Sequence, residues 1–286
     1  MSNIKEIKTK IKIIKSTRKI TKAMEMVSAS KMRRAQDRML TSRPYAKNVR
    51  EVIEHLTSGH IDYEHPYLLE RETKRIGFII VSSDRGLCGG LNTNLFRVAL
   101  EAMHKWAEQN IEIDLCTIGN KAEMFFRRHK ANIIAGSAFV GEKIKAREVI
   151  GPVKVLLDAY EANKLDKIFF IYNEFVNNMT QKPKIEMLLP IVGDKIKPKR
   201  KRSDYIYEPE PIILLDALLK RYIESLVYQG LVENSACEQA ARMVAMKSAS
   251  DNAGNLIDEF QLMYNKARQA AITKELSEIV AGSAAV

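Results

Sequence analysis

The chain has 286 residues, 46% of them hydrophobic, which is enough apolar material for one or two packed domains and excludes a disordered or fibrous chain. No run approaches the ~18 consecutive apolar residues of a membrane-spanning helix, and the opening MSNIKEIKTK lacks the apolar stretch of a secretory signal, so the expected compartment is cytoplasmic. The net charge of +11 is unevenly placed: residues 1–50 carry 15 Lys and Arg against 3 Asp and Glu, whereas residues 211–286 carry 7 against 9, so the basic first segment expects an acidic partner such as nucleic acid, anionic lipid or a protein loop.

In that first segment Ile4, Ile7, Ile11 and Ile14 step by three and four. Thr17, Ile20, Met24 and Val27 repeat the step after a slip of one position. This predicts the apolar seam of a long helix with a stammer, a local overwinding of a coiled coil. Pro44 interrupts the pattern, YAKNVREVIEHL resumes it, and Ser58 and Gly59 end it. A helix from Lys5 to Thr57 would be about 80 Å long, more than a small globular domain can bury.

The middle of the chain changes period. RIGFIIVSS, IEIDLCTIG and DKIFFIYNEF read as buried strands, with LNTNLFRVALEAMHKWAEQN, NKAEMFFRRHK and KAREVIGPVKVLLDAYEAN as the helices between them. In the first of these helices Leu95, Val98, Ala99, Ala102, Met103 and Trp106 form one face, and Asn92 or Thr93 is available as its cap. Strands alternating with helices predict a small, mostly parallel α/β sheet, with PKIEMLLPIV as a further edge strand. The basic, proline-containing KIKPKRKRSD, which includes Lys197 to Arg202, is the expected hinge out of this unit.

The first strand leads through VSSDRGLCGGLNTN into a helix, the order in which many proteins cradle a phosphate. The chemistry of such a site is incomplete here. Gly86, Gly89 and Gly90 have the wrong spacing for a dinucleotide fingerprint, and the second strand ends in Thr117, Ile118, Gly119 and Asn120 without the acidic residue that holds a ribose. Leu91 and Asn92 stand where a P-loop needs Lys and Ser or Thr. The expectation is a tight turn docked on neighbouring structure. Asp84 and Arg85, beside Ser82 and Ser83, read as a solvated ion pair, since no histidine lies nearby in sequence to activate a serine.

In the last segment Met246, Ser250, Ala253, Ile257, Phe260, Tyr264, Ala267 and Ala271 alternate steps of four and three without a break. Pro209 and Pro211 suit the entrance of this helix and Gly282 its exit, with Gly230 and Gly254 inside, so it could form a rod of about 105 Å. Two such seams at opposite ends of one chain predict an antiparallel coiled coil of the termini. Leu256, Leu262, Met263 and Ile272 lie off the seam, and a helix apolar on more than one side expects further partners around it.

Cys88, Cys116 and Cys237 are too few and too scattered for a disulfide framework or a zinc site and read as buried thiols. The five histidines show no metal-binding spacing. The chain also lacks GxSxG and any recognisable pair of acidic catalytic residues, so no catalytic, cofactor-binding or metal-binding residue is assigned and no cofactor is expected.

Three stretches, ITKAMEMVSASKMRRAQDRM, SSDRGLCGGLN and EQAARMVAMKSASDNAGNLIDEFQLMYNKARQAAITKELSEIV, resemble the signature segments of the gamma subunit of F-type ATP synthase, in that family's order and across essentially the whole chain. The absence of a transit peptide and of a cysteine-bearing insertion in the middle makes it similar to the bacterial members. The resemblance implies a long antiparallel coiled coil of the N- and C-terminal helices plus a central Rossmann-like, mostly parallel α/β domain. Its divisions would be 1–59 for the first helix, 75–195 for the α/β domain and 209–282 for the last helix. It implies a shaft turning inside a ring of three alpha and three beta subunits, with the α/β domain on the epsilon subunit and the membrane rotor ring of c subunits. ATP chemistry would belong to the beta subunits, and the location would be the cytoplasmic face of the bacterial cell membrane, peripherally bound.

Carried over by position, the resemblance places Lys22, Met24 and Glu25 near acidic beta-subunit loops, with Arg242 facing Met24 across the coiled coil. Gln269, Thr273 and Glu275 fall where the family's shaft meets the upper part of the ring. Two other classes compete: a nucleic-acid-binding coiled coil using the basic first helix and KPKRKR, and a small nucleotide-dependent enzyme. Met1 to Arg43 contains no aromatic residues between its basic ones, which weakens single-strand recognition, and the broken fingerprint weakens the enzyme.

Overall fold

A computed structural model describes residues 4–58, 65–138, 146–191 and 211–283. The chain divides into two compact units, Met1–Ala29 with Arg242–Val286, and Ser30–Ala241. Two helices contribute to both: α1, Ile4–Ser58, and α5, Pro211–Ser283. The KIKPKRKRSD segment lies outside the described residues.

In the first unit the two helices pair. Arg18 of α1 lies against Gly254 of α5, its guanidinium 3.4 Å from where a Cβ would stand. Arg18 precedes the end of the α1 portion by nearly the distance that Gly254 follows the start of the α5 portion, as an antiparallel pair requires. The buried seam of α5 follows the expected series, with Met246, Ser250, Ala253 and Ile257 buried and Phe260, Tyr264, Ala267 and Ala271 half-buried.

On α1 the seam differs from the expected one. Thr21 is 9% exposed and Ser28 2%, whereas Ile20 is 61% and Val27 52% exposed. Ile4, Ile7, Ile11, Ile14, Arg18, Thr21, Glu25 and Ser28 advance by three and four without a slip, and Met32, Ala35 and Met39 continue the series, so there is no stammer. A small hydroxyl fits where the facing helix also presents Ser250, Ala253 and Gly254, and Ile13, Ile20 and Val27 are left outside. Counted from Arg18 and Gly254, an antiparallel register sets Ile4 about level with residue 268. Farther on, α5 has no α1 residue opposite it among the described residues, and Ile272, Leu276, Ile279 and Val280 are exposed.

The second unit is a five-stranded sheet of β1, Arg75–Val81, β2, Glu112–Ile118, β3, Asn132–Ser137, β4, Lys167–Phe175, and β5, Gln181–Leu189, in the order β3-β2-β1-β4-β5. All neighbours are parallel except β4 and β5. β3 was not among the expected strands. Its burial alternates residue by residue, as an edge strand's does, and its NIIAGS is too short and mixed to read as an apolar run.

Between the strands run α2, Leu91–Ala107, α3, Asn120–Arg128, and α4, Ala146–Glu161. α2 and α3 cover one face, where Phe78, Leu95, Phe96, Leu115 and Phe126 form a core. α4 and the first part of α5 cover the other, where Ile79, Cys116, Leu156, Phe170, Leu219 and Ile223 are buried with Val49 and Ile53 of α1. Each such large side chain contributes about 1.5–3 kcal/mol of burial. That burial offsets Pro44 inside α1, which costs roughly 3 kcal/mol in an isolated helix. α5 runs through Gly282 to Ser283, so that glycine falls within the last turn and not beyond it.

Candidate functional site

The order of the strands reverses between β1 and β4, and in open α/β sheets the carboxyl ends of strands at such a reversal frame a ligand crevice. The glycine-bearing turn, residues 82–90, leaves β1 at this place. Here the crevice is occupied by α5. Glu233 Oε1 accepts a hydrogen bond from Phe175 N at 3.1 Å, Asn173 Nδ2 donates to Asn234 Oδ1 at 2.8 Å, and Cys237 Sγ donates to the Asn173 carbonyl at 3.3 Å. Gly230 makes this approach possible: a Cβ there would stand 2.3 Å from Phe170 Cε1.

The turn docks on the same helix, with Cys88 and Leu91 packed against Cys237, Phe175 and Ala241. Some of its polar groups are spent internally. Asn92 Oδ1 accepts from Ser83 N at 3.2 Å, Asn92 Nδ2 donates to Ser83 Oγ at 2.7 Å, and Ser83 Oγ donates to the Arg85 carbonyl at 2.8 Å. Asn92 therefore does not cap α2. The helix starts at Leu91, so Asn92 and Thr93 both fall inside its first turn and the cap position falls on Gly90, which offers no side chain. Asp84 Oδ1 accepts from Asn120 N at 2.9 Å and so caps α3, a role the expected ion pair did not include. Arg85, Gly89 and Gly90 are exposed and Gly86 half-buried, and Leu87 and Gly89 adopt left-handed conformations, φ 66° and 58°.

The thiols nearby are shielded from solvent. All three cysteines are buried. Burial pushes the Cys116 thiol up to about 12, and burial followed by the Glu233 carboxylate pushes Cys237 well above the ordinary thiol range. The arrangement has the chemistry of a clamp between helix and sheet: the Glu233 carboxylate accepts from the β4 backbone and the Asn234 amide oxygen from Asn173, while Asn173 Oδ1 has no partner among the described residues.

Glu233, Asn234, Asn173 and Gly230 escaped the sequence reading. The signal was the polar pair Glu233 and Asn234 inside the otherwise apolar helical stretch LVENSAC, one turn after a glycine without an evident role.

The second set of expected site residues lies in the helical pair. Lys22, Met24 and Glu25 share one turn of α1, with Lys22 Nζ 3.0 Å from Glu25 Oε2, Met24 half-buried and Lys22 exposed. Arg242 is buried on α5 and engaged with its surroundings. Gln269, Thr273 and Glu275 are all exposed, beyond the level of Ile4, and Ser277 Oγ donates to the Thr273 carbonyl at 2.9 Å. Lys5, Lys8, Lys12, Lys15 and Lys19 are exposed along α1, so the helix presents a basic exterior.

The family described as ATP synthase matches residues 3–286. A protein of Nitrosococcus oceani named ATP synthase gamma chain is 60% identical over 289 residues, covering 100% of both chains. A chain of the Tetrahymena thermophila mitochondrial ATP synthase central stalk and c-ring structure superposes with a TM-score of 0.60 at 25% identity, over 81% of this chain and 99% of that one. A chain of the Euglena gracilis mitochondrial OSCP/F1/c-ring structure in rotational state 3 gives a TM-score of 0.70 at 20% identity, over 99% of this chain and 94% of that one, a likeness of fold.

Proposed function

The chain belongs to the ATP synthase gamma-chain family, and on that premise we propose that it is the central shaft of a proton-translocating F-type ATP synthase. It rotates within a ring of three alpha and three beta subunits and couples proton flow through the membrane ring of c subunits to ATP synthesis or hydrolysis at the beta subunits. The epsilon subunit joins it at the α/β unit. As part of that complex it sits peripherally at the cytoplasmic face of the bacterial cell membrane. No helix among the described residues is long and apolar enough to cross a membrane.

The observation that carries this reading is the exterior of the helical pair. A two-helix rod meant for water would bury its apolar residues in the seam, yet Ile13, Ile20 and Val27 of α1 and Leu256, Leu262, Ile272 and Leu276 of α5 are exposed. An apolar tip offers few directional bonds to an enclosing sleeve and so hinders rotation little. The basic exterior of α1 suits acidic loops that push on it. The crevice filled by Glu233, Asn234 and Cys237 supports a role for the α/β unit as an anchor for α5 and counts against the nucleotide-dependent enzyme.

In this proposal Lys22, Met24 and Glu25 meet the beta loops, Arg242 supports that turn from α5, and Gln269, Thr273 and Glu275 meet the upper ring. The turn of Asp84, Arg85, Gly86, Gly89 and Gly90 holds α5 on the sheet. The working divisions remain 1–59, 75–195 and 209–282.

Co-expression with the alpha and beta subunits of the same organism tests the assignment. The chain should enter one complex at a single copy and sustain ATP hydrolysis, and a folded chain that stays outside the complex overturns it. Met24→Lys then tests the contact. An ammonium paired with an acidic loop by about 1–3 kcal/mol in one rotary state raises the barrier to the next. The variant should assemble normally but pump fewer protons per ATP hydrolysed, and unchanged pumping removes Met24 from the contact.

A further inference from the structure

Between α4 and the first part of α5 lies a cleft of about 380 Å³, within the second unit and apart from the crevice described above. The volume is that of a small-molecule site, which typically occupies about 300–1,000 Å³, and is too small for a partner helix to bury a useful stripe. Its floor is apolar: Val153, Leu157, Val227, Leu231 and Tyr67 are all buried.

The charges at its rim decide what it would take. Asp158, Glu161 and Glu224 face two lysines, Lys154 and Lys220, and Glu224 Oε2 is paired with Arg221 Nη1 at 2.9 Å, so among the described residues Asp158 is the rim carboxylate with no cation at ion-pair distance. Lys220 is already committed, with Nζ 3.2 Å from Glu161 Oε1 and 3.5 Å from Asp216 Oδ2. The Tyr67 hydroxyl donates to that same Glu161 oxygen at 2.6 Å, which holds the carboxyl below its usual range and keeps it ionised. Glu161 Oε2 and the Asp158 carboxylate make no hydrogen bond among the described residues. The rings of Tyr67 and Tyr228 also line the space, and an aromatic face attracts a cation. A carboxylate ligand would be repelled by Asp158 and Glu161, while an ammonium would find two free acceptors there.

We infer that this cleft is a binding site for a small amphiphilic monocation, an aromatic or branched apolar body carrying one protonated amine. The body would lie on Val153, Leu157, Val227 and Leu231, with the ammonium between Asp158 and Glu161.

The test is ligand-observed NMR titration of 4-phenylbutylamine against the assembled complex, with 4-phenylbutyrate and 4-phenylbutanol as the anionic and neutral counterparts of the same body. The amine should bind saturably, at one site per copy of this chain, and at least about tenfold more tightly than the acid. Val227→Phe, which fills the floor, should abolish this binding. Asp158→Asn, an exposed change that keeps the shape, should weaken the amine about three- to tenfold and leave the alcohol unchanged. If the filled variant fails to assemble, Asp158→Asn decides. No saturable binding, equal affinity for amine and acid, or binding untouched by the substitutions overturns the inference.

Discussion

α5 has two halves of opposite character. From Leu215 to Ala240 it is buried on most sides, with Tyr222, Leu231, Glu233, Asn234 and Cys237 all enclosed, whereas from Ser250 onward only the seam positions are covered. In the first half the shape of the sheet dictates the residue, down to a glycine where a ring passes and an amide where a strand needs an acceptor. In the second half the partner helix dictates only every third or fourth residue. The remaining surface is unconstrained by the chain itself, and its apolar character has to be explained by something outside the chain.

If that contrast is right, the largest loss of stability comes from the smallest substitution in the first half. Gly230→Ala adds one methyl 2.3 Å from Phe170 Cε1 and 2.7 Å from Cζ, on a ring that is itself 1% exposed and cannot swing away. Overpacking of this kind costs about 3 kcal/mol or more, against a gain of about 1 from helix propensity. Urea unfolding of the full chain should show a net loss of about 2–3 kcal/mol. A neutral result would mean that α5 rides higher on the sheet than described.

The second prediction separates the observed seam from the expected one. Ser28→Glu buries an unpaired carboxylate in the helical pair and should cost about 2 kcal/mol, while Val27→Glu, one residue earlier on the exposed side, should change stability by less than about 0.5. The reverse order would restore the slipped seam. In the assembled complex the ranking changes, because Val27 lies on the surface proposed to face partners.

Next comes Asn234→Ala, which leaves Asn173 Nδ2 without its 2.8 Å acceptor in a buried site. Unfolding should show a loss of about 1.5 kcal/mol. Cys88 and Cys237, now beside a loosened clamp, should become alkylated faster at pH 8 than in the parent chain. The parent's Cys116 should stay protected, since burial holds its thiol at about 12, far above that pH.

The strands β1, β2, β4 and β5, the long helices and the α5 seam were legible because each repeats a simple period over many residues. The α1 seam was misread because apolar character and position disagree there: Ile20 and Val27 drew the pattern one place away from Thr21 and Ser28. A hydroxyl is acceptable at a close helix contact, and a sequence scan that scores only hydrophobicity passes over it. The clamp was illegible for a different reason. Glu233 and Asn234 gain meaning from Phe175 and Asn173, which lie about 60 positions away in the chain, and no local pattern links them. The failed fingerprint of the glycine turn could be recognised from spacing alone, but what fills the crevice instead could not.

The smallest expected effect is the sharpest test of the contrast, because it repeats the first substitution in the other half of the same helix. A Cβ at Gly254 would stand 3.4 Å from the guanidinium of Arg18, an exposed side chain with several rotatable bonds that can shift by a few tenths of an ångström. Nothing there resembles the wall formed by Phe170. Gly254→Ala should therefore keep the pairing and gain helix propensity, leaving the isolated chain between unchanged and about 1 kcal/mol more stable in urea. The same methyl at Gly230 and at Gly254 would then act with opposite sign. A loss at both sites of similar size would show that the helical pair of the first unit is packed as tightly as the sheet. The exposed apolar residues around it would then belong to a rigid two-helix core, and the freedom to turn against partners would need another source.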